Sequence, residues 1–403
     1  MGVFKKIKSS ISHRALNRRR YIPFEKTTKL EYEVLEKWLM PPISEEIRNR
    51  ILLLPKFFQG LDKAKKSGGW SSKIVFNKKI FLWRVSYFSY WKPIYKKFYE
   101  VGGHSQNIKS LELRKYLNVE YISQSMPGNS LNMYSFFITF QNQNSAKTIL
   151  DRAITLEFSA GYAFQHFIDH AYAYINFLSD FLKKNPEVHV ILPSPNKSFI
   201  DREFLLNKIG VLNPIHNAIA GNSINIRELI VLKALPKDIL YSVPYSLTNL
   251  LSSKVNSELK STKNKKIALI IREEKNRNFN NLNEIIDQLS NFASNNGLEL
   301  QPIYPNRVST KELARLLSDC LIFVGLHGGA MCNLLFMPKN SYILEIVPDK
   351  EGASLFHLAI GGGFKYLPIP MNYELGTTAV NIKMSDLNSA LDFVLADLNK
   401  IKG

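Results

Sequence analysis

From Lys266 to Ile369 the chain alternates short apolar runs with helix-period segments, and this rhythm constrains the fold more than any other feature. Lys266–Ile271, Glu299–Tyr304, Leu321–Gly325, Tyr342–Val347 and Tyr366–Ile369 read as strands. Leu282–Ser294, Thr310–Ser318, Gly329–Phe336 and Ala353–Ile360 read as the helices between them, and Met384–Asn399 as a closing helix. Strict alternation with short connections predicts a doubly wound parallel sheet, hence an α/β fold. Ligands of such sheets bind at the carboxyl ends of the strands.

Upstream the pattern is less regular. Residues 30–60 read as one or two helices broken at Pro41-Pro42. Short aromatic and β-branched runs follow at Lys73–Phe76, Ile80–Val85, Glu120–Ser123, Tyr134–Phe140 and Ile154–Phe158, and read as strands in a bulky first domain. Gly161–Leu182 has the period of a long helix, Val188–Leu192 reads as a strand, Phe199–Lys208 as a helix and Asn225–Leu232 as a strand. Pro244–Lys265 reads as a stretch containing a linker or hinge. At 403 residues the chain is long enough for two domains.

Hydrophobic residues make up 45% of the chain and aromatics 12%, which excludes disorder as the overall state. No apolar run approaches the roughly 18 residues of a membrane span. Two cysteines, Cys320 and Cys332, make no disulfide scaffold and stand at no zinc spacing with histidines, so a reducing compartment is expected. The N-terminus lacks the apolar core and small-residue cleavage site of a secretory signal.

The formal charge is +19, and fifteen of those nineteen charges arise before position 101. Residues 1–20 hold Lys5, Lys6, Lys8, Arg14, Arg18, Arg19 and Arg20 and no acid, interleaved with Val3, Phe4, Ile7, Ile11 and Ala15 at helical spacing. Such a segment either lies on an anionic leaflet, at roughly 1 kcal/mol per basic residue, or is a solvated arm. Lys6 occupies the position where myristoylation needs Ser or Thr. No zinc finger, RNA-binding strand signature or basic zipper accompanies the charge, so nucleic acid is not the expected partner.

The strongest chemical signal is Val324-Gly325-Leu326-His327-Gly328-Gly329-Ala330-Met331-Cys332-Asn333. A buried strand runs into a glycine turn that opens a helix, the arrangement that receives a phosphate or pyrophosphate. The same glycines would also serve a tight packing turn. His327 adds a donor there, charged when protonated. Arg272 directly follows the strand Lys266–Ile271, and its planar fork suits phosphate oxygens. Glu345 interrupts the apolar strand Ile343–Val347 and needs a partner, either ribose hydroxyls or a neighbouring Arg or Lys.

In order and spacing, Arg272 after a strand, Gly325 through Pro338, and Leu344-Glu345-Ile346 resemble glycosyltransferase family 61. That family's pattern is G-x-H-G-A-x-x-x-N-x-x-F-x-P between two strands, the second bearing Glu. Gly329 stands where Ala is usual, and Arg277 matches a further family arginine only loosely. Phe164-Gln165-His166-Phe167-Ile168-Asp169 resembles the family's aromatic-His-x-x-Asp helix on the acceptor side. The resemblance implies a GT-B fold of two Rossmann-like domains facing a cleft. It also implies a nucleotide-sugar donor on the C-terminal domain and inversion at the anomeric carbon. It puts Arg272, Arg277, His327, Gly328, Gly329, Ala330, Asn333 and Glu345 at the donor.

On a helix His166 shares a face with Asp169 and His170. The pair is either a structural contact or a catalytic base with its orienting partner, Asp169 being the plainer proton acceptor. Phe167 stands where a zinc helix would have Glu, and no two aspartates are spaced Asp-x-Asp, so neither a metal nor another cofactor is expected.

The expected organisation is a basic arm at 1–25, an acceptor-side domain at 26–255, a donor domain at 256–380 and a C-terminal helix at 381–403. The expected role is transfer to an oligosaccharide or lipid-linked saccharide, in capsular or other surface polysaccharide synthesis. That work would be done in the cytoplasm, with residues 1–20 holding the enzyme to the membrane's inner face. Rival readings are an epimerase or sugar phosphorylase of the same fold, or a silent protein that binds polyanions or membranes.

Overall fold

A computed structural model describes residues 31–39, 70–76, 79–85, 90–92, 97–99, 110–123, 136–140, 148–156, 164, 167–194, 201–219, 222–235, 245–256, 265–273, 278–348, 355–371 and 379–402. The basic arm at 1–20, and most of the helices read over 30–60, lie outside these residues.

The first sheet has seven strands: β1 (Glu33–Leu39), β6 (Ser110–Ser123), β7 (Phe136–Phe140), β8 (Thr148–Leu156), β9 (His189–Pro193), β10 (Ile215–Ala218) and β11 (Ser223–Leu235). Two separate hairpins pair β2 (Trp70–Phe76) with β3 (Lys79–Val85) and β4 (Tyr90–Lys92) with β5 (Lys97–Tyr99). The sheet's order is β1-β6-β11-β8-β9-β10, with β7 on β6. Strands β11, β8, β9 and β10 are parallel, whereas β1, β6 and β7 join antiparallel. The first sheet is therefore built around a βαβαβ unit, to which an antiparallel portion has been added.

Glu33–Leu39 corrects the helical reading of this segment. Its half-buried residues are Leu35 and Trp38, three apart as in a helix. A bulge explains the spacing: Val34 pairs with Arg114 and Glu36 with Leu113, so Leu35 is the extra residue and the alternation slips by one. Both side chains pack on the core, and the Trp38 indole meets Phe177 edge-on at 5.0 Å.

Between β8 and β9 lie a one-turn π-helix (Phe167–Tyr172), α1 (Ala173–Phe177) and α2 (Ser179–Lys184), in place of one uninterrupted helix. The helix α3 (Arg202–Lys208) follows β9, and the Asp201 carboxylate accepts from the Phe204 N–H at 2.8 Å to begin it.

Within the stretch expected to contain a linker or hinge, residues 257–264 lie outside the described residues, and Tyr245–Asn256 forms the helix α4. Its serines and threonine suggest a loop, yet Leu247, Leu251 and Val255 recur at four-residue spacing and are buried. Thr248 and Ser252 are buried as well, and the Ser252 hydroxyl donates to the Gly362 carbonyl at 2.8 Å.

The second sheet is wholly parallel and follows the alternation in the sequence. It comprises β12 (Lys266–Ile270), β14 (Glu299–Ile303), β15 (Cys320–Leu326), β16 (Tyr342–Pro348) and β17 (Lys365–Met371). Its order is β14-β12-β15-β16-β17, which leaves β14 and β17 at the edges. A short parallel pair joins β13 (Asn278–Phe279) to β18 (Ala379–Val380).

The helices α5 (Leu282–Asn295) and α6 (Thr310–Leu317) bury one stripe each. Ile285, Leu289, Phe292 and Ala293 line the first; Thr310, Leu313, Ala314 and Leu317 line the second. The helix α7 (Phe356–Gly362) precedes β17, and α8 (Met384–Lys402) closes the chain. Asp397 of α8 accepts from the Tyr342 hydroxyl at 2.7 Å and from Lys365 at 2.6 Å, which fastens the last helix to the amino ends of β16 and β17. One continuous apolar cluster runs from Leu111 and Ile154 of the first sheet to Ile343 and Ile369 of the second.

Candidate active site

In the second sheet the chain moves outward from β12 to β14, then returns to the other side of β12 to place β15. Strand order thus reverses between β12 and β15, and the crevice of a doubly wound sheet opens beyond the carboxyl ends of those two strands. Arg272 leaves β12 and His327 leaves β15 at this edge. Ile271 still pairs with β14, its N–H donating to the Ile303 carbonyl at 2.9 Å, so Arg272 is the first residue past the sheet. It is half-buried. The next residue, Glu273, turns to Arg307, whose Nε lies 2.9 Å from the carboxylate. That hydrogen bond holds the Glu273 carboxyl below its usual range.

His327 is fixed from two directions. Its backbone N–H donates to the Ile346 carbonyl at 2.8 Å, which keeps it in register with β16. Its Nδ1 lies 2.6 Å from Glu345 Oε1. Glu345 is wholly buried, and its other oxygen accepts from the Tyr366 hydroxyl of β17. Within the protein the partners of this carboxylate are therefore a histidine and a tyrosine; of the two alternatives the sequence left open, ribose hydroxyls or a neighbouring Arg or Lys, the second is replaced by this pair. Register makes the arrangement possible: Gly325 stands opposite Glu345, and His327 and Tyr366 are each two positions along from a residue on that row.

The turn after His327 depends on two glycines. Gly328 has φ 144°, a backbone state that L side chains rarely adopt. At Gly325 an added Cβ would lie 2.6 Å from Met331 Sδ and 3.3 Å from Ile270 Cβ. The missing side chain lets the segment Gly329–Phe336 fold back over its own strand. That segment is a 3-10 helix, not the α-helix read from the sequence. Residues Met331 through Phe336 are all buried, so no single apolar stripe holds them to a 3.6-residue period.

From Ile322 to Pro338 only Gly329 and Ala330 are half-exposed, which makes them the open point of the turn. Asn333 donates from Nδ2 to the Ala330 carbonyl at 2.8 Å and braces that point from within. Its Oδ1 is buried with no hydrogen-bond partner.

The structure therefore gathers His327, Gly328, Gly329, Ala330, Asn333 and Glu345 into one cluster and brings Arg272 to the same sheet edge. The backbone of Asp169 lies in the π-helical turn, a local geometry frequent at functional sites. Its side chain, His166 and Arg277 lie outside the described residues. Among the described residues no three of His, Cys, Asp and Glu form a metal-binding group. Tyr366 was missed as a site residue in the sequence. Its signal is faint: a tyrosine in the strand next to one carrying a buried acid.

An open parallel sheet carries Arg272, His327 and a glycine turn at its switch point, within a mixed α/β fold. Residues 164–344 match the family model for Glycosyltransferase 61, so this segment belongs to that family and the protein is a glycosyltransferase. The matched span begins at Phe164, just before the π-helical turn, and ends at Leu344, one residue before Glu345. No curated protein matches the chain.

The close approach at Gly325 yields a stability test. Gly325→Ala should destabilise the protein by about 1–3 kcal/mol, because the new methyl meets Met331 in a packed core. Met331→Ala is also expected to destabilise, by about 2–5 kcal/mol. In the double variant the two costs should fall short of their sum by about 0.5–3 kcal/mol, measured by urea unfolding. Strict additivity would show that Met331 does not depend on the missing Cβ.

Proposed function

We propose that the protein is an inverting, metal-independent glycosyltransferase of GT-B architecture, moving a sugar from a nucleotide-sugar donor to a saccharide acceptor. The observation that carries this reading is the placement of Arg272, His327 and the Gly328–Ala330 turn at the switch point of the parallel sheet. In the transfer an acceptor hydroxyl oxygen bonds to the anomeric carbon from the face opposite the diphosphate. The carbon–oxygen bond to the diphosphate breaks, and its electron pair leaves with the phosphate oxygen. Arg272, protonated His327 and the backbone N–H groups of the turn answer that charge, a role best filled by groups already in place.

The acceptor proton passes to Asp169, with His166 orienting the carboxylate. Both belong to the segment matched by the family. Metal independence is supported by these cationic groups and by the lack of an Asp-x-Asp pair in the sequence. Residues 26–255 form the acceptor side, residues 256–380 the donor side and 381–403 the closing helix. Residues 1–25 form a basic arm that rests on the inner face of the membrane, where a lipid-linked acceptor in capsule or other surface polysaccharide synthesis would be found.

His327→Ala and Arg272→Ala should each lower sugar transfer by about 10²–10³ and weaken nucleoside-diphosphate binding while the fold is kept. A chelator should leave the wild-type rate unchanged. Wild-type turnover by both folded variants would remove the donor from this edge, and loss of activity on chelation would overturn metal independence.

Asp169→Asn should still bind nucleoside diphosphate but lose transfer, because the amide cannot take the acceptor proton. Normal turnover by this variant beside an inactive His166→Ala would make the histidine the base.

Removal of residues 1–20 should move the protein from the membrane fraction to the soluble fraction and preserve activity on a short soluble acceptor. Binding of the full chain to anionic liposomes should fall as salt rises, since exposed charges are screened within roughly 8 Å at physiological ionic strength. A full-length protein that ignores anionic liposomes at low salt would reduce the arm to a solvated tail.

A further inference from the structure

The row His327, Glu345 and Tyr366 joins three adjacent strands and is buried throughout, His327 being 6% exposed, Glu345 0% and Tyr366 1%. As a carboxylate Glu345 can only accept hydrogen bonds. Its Oε1 lies 2.6 Å from His327 Nδ1, so Nδ1 carries the proton. Its Oε2 is occupied by the Tyr366 hydroxyl, which fixes the plane of the carboxylate and thereby the plane of the ring. With Nδ1–H committed, neutral His327 has a lone pair on Nε2. Only the imidazolium donates from both nitrogens, and Glu345 supplies the counter-charge that a buried imidazolium needs.

We propose that Glu345 and Tyr366 are positioning residues that act through His327, fixing its ring orientation and balancing its positive charge so that Nε2 of the imidazolium donates to an anionic group. The inference rests on the donor-site reading above and deepens it. It assigns Glu345 to the histidine instead of to the sugar nucleotide and adds Tyr366, which lies beyond the span matched by the family. Glu345 and Tyr366 need touch no substrate. A histidine held by an outer carboxylate commonly loses about 10–100-fold in function when that support is removed. The effect of Tyr366 should be the smaller, since it is one bond further out.

The test combines proton NMR with binding of inorganic pyrophosphate, on the full chain labelled with 15N-histidine. The wild type should show one strongly downfield Nδ1 proton, assigned to His327 by its loss in His327→Gln. It should vanish in Glu345→Gln and shift in Tyr366→Phe, which removes the hydroxyl and keeps the ring. Pyrophosphate affinity should drop about 100-fold in Glu345→Gln and about tenfold in Tyr366→Phe, and reintroducing Tyr should restore it. Absence of the downfield proton from the wild type would overturn the proposal, and this measurement decides even if a variant does not fold. So would a folded Tyr366→Phe with an unmoved proton and full affinity. If the proton responds as expected while pyrophosphate binds nowhere near His327, the positioning roles are upheld and the diphosphate reading alone falls.

Discussion

A carboxylate taken out of water must find donors or a counter-charge, or else take up a proton and give up its charge. Glu345 meets that demand from two sides at once, through His327 on one flanking strand and Tyr366 on the other. The requirement fixes more than a side chain. It sets the register of β15, β16 and β17, since a shift of one residue would turn Glu345 to the opposite face of the sheet. It also holds His327 at the point where β15 ends and the glycine turn begins. The polar row and the surrounding apolar strands are thus one construction: the strands exclude water, and the row is tolerable only because its members satisfy one another.

The same construction explains why two glycines stand so close together. Gly325 leaves space for Met331 to cross the strand, and Gly328 adopts a φ of 144° that lets the chain reverse onto it. The result is a short 3-10 segment pressed against the sheet, with only Gly329 and Ala330 reaching toward solvent. The helix α4 packs against this segment as well as against α1 and α7, and Lys254 of α4 donates to Ser179 at 3.0 Å. One helix therefore touches elements following the π-helical turn and the 3-10 segment of the glycine turn. The apolar core passes between the two sheets without interruption.

The parallel sheet was legible in the sequence because β12, β15 and β16 are compact apolar runs and α5 and α6 each carry a clear stripe. The positions of Arg272 and His327 followed, since a residue directly after a buried parallel strand must emerge at its carboxyl edge. The failures have equally local causes. A bulge at Leu35 imitated the three-residue spacing of a helix. The helix α4 was not anticipated inside the stretch expected to contain a linker, because sequence cannot show that Ser252 spends its hydroxyl on a carbonyl 110 residues away. The link from Glu345 to Tyr366 depends on which strand becomes the neighbour of β16, and that is settled by topology. No pattern within either strand records it.

The edges of the parallel sheet have a consequence for how the molecule meets its own kind. An outer strand normally offers a row of unpaired backbone groups on which another chain can build. Here β14 carries Pro302, and β17 carries Pro368 and Pro370, two residues apart and thus with their missing N–H groups on the same side. Proline cannot supply the amide that a further strand would require. At one margin of the other sheet, β1 is kinked by its bulge and presents Lys37 to Glu112 at 3.0 Å; at the opposite margin β10 is only four residues long. Among the described residues, β14, β17, β1 and β10 thus offer an added strand few complete ladders to extend.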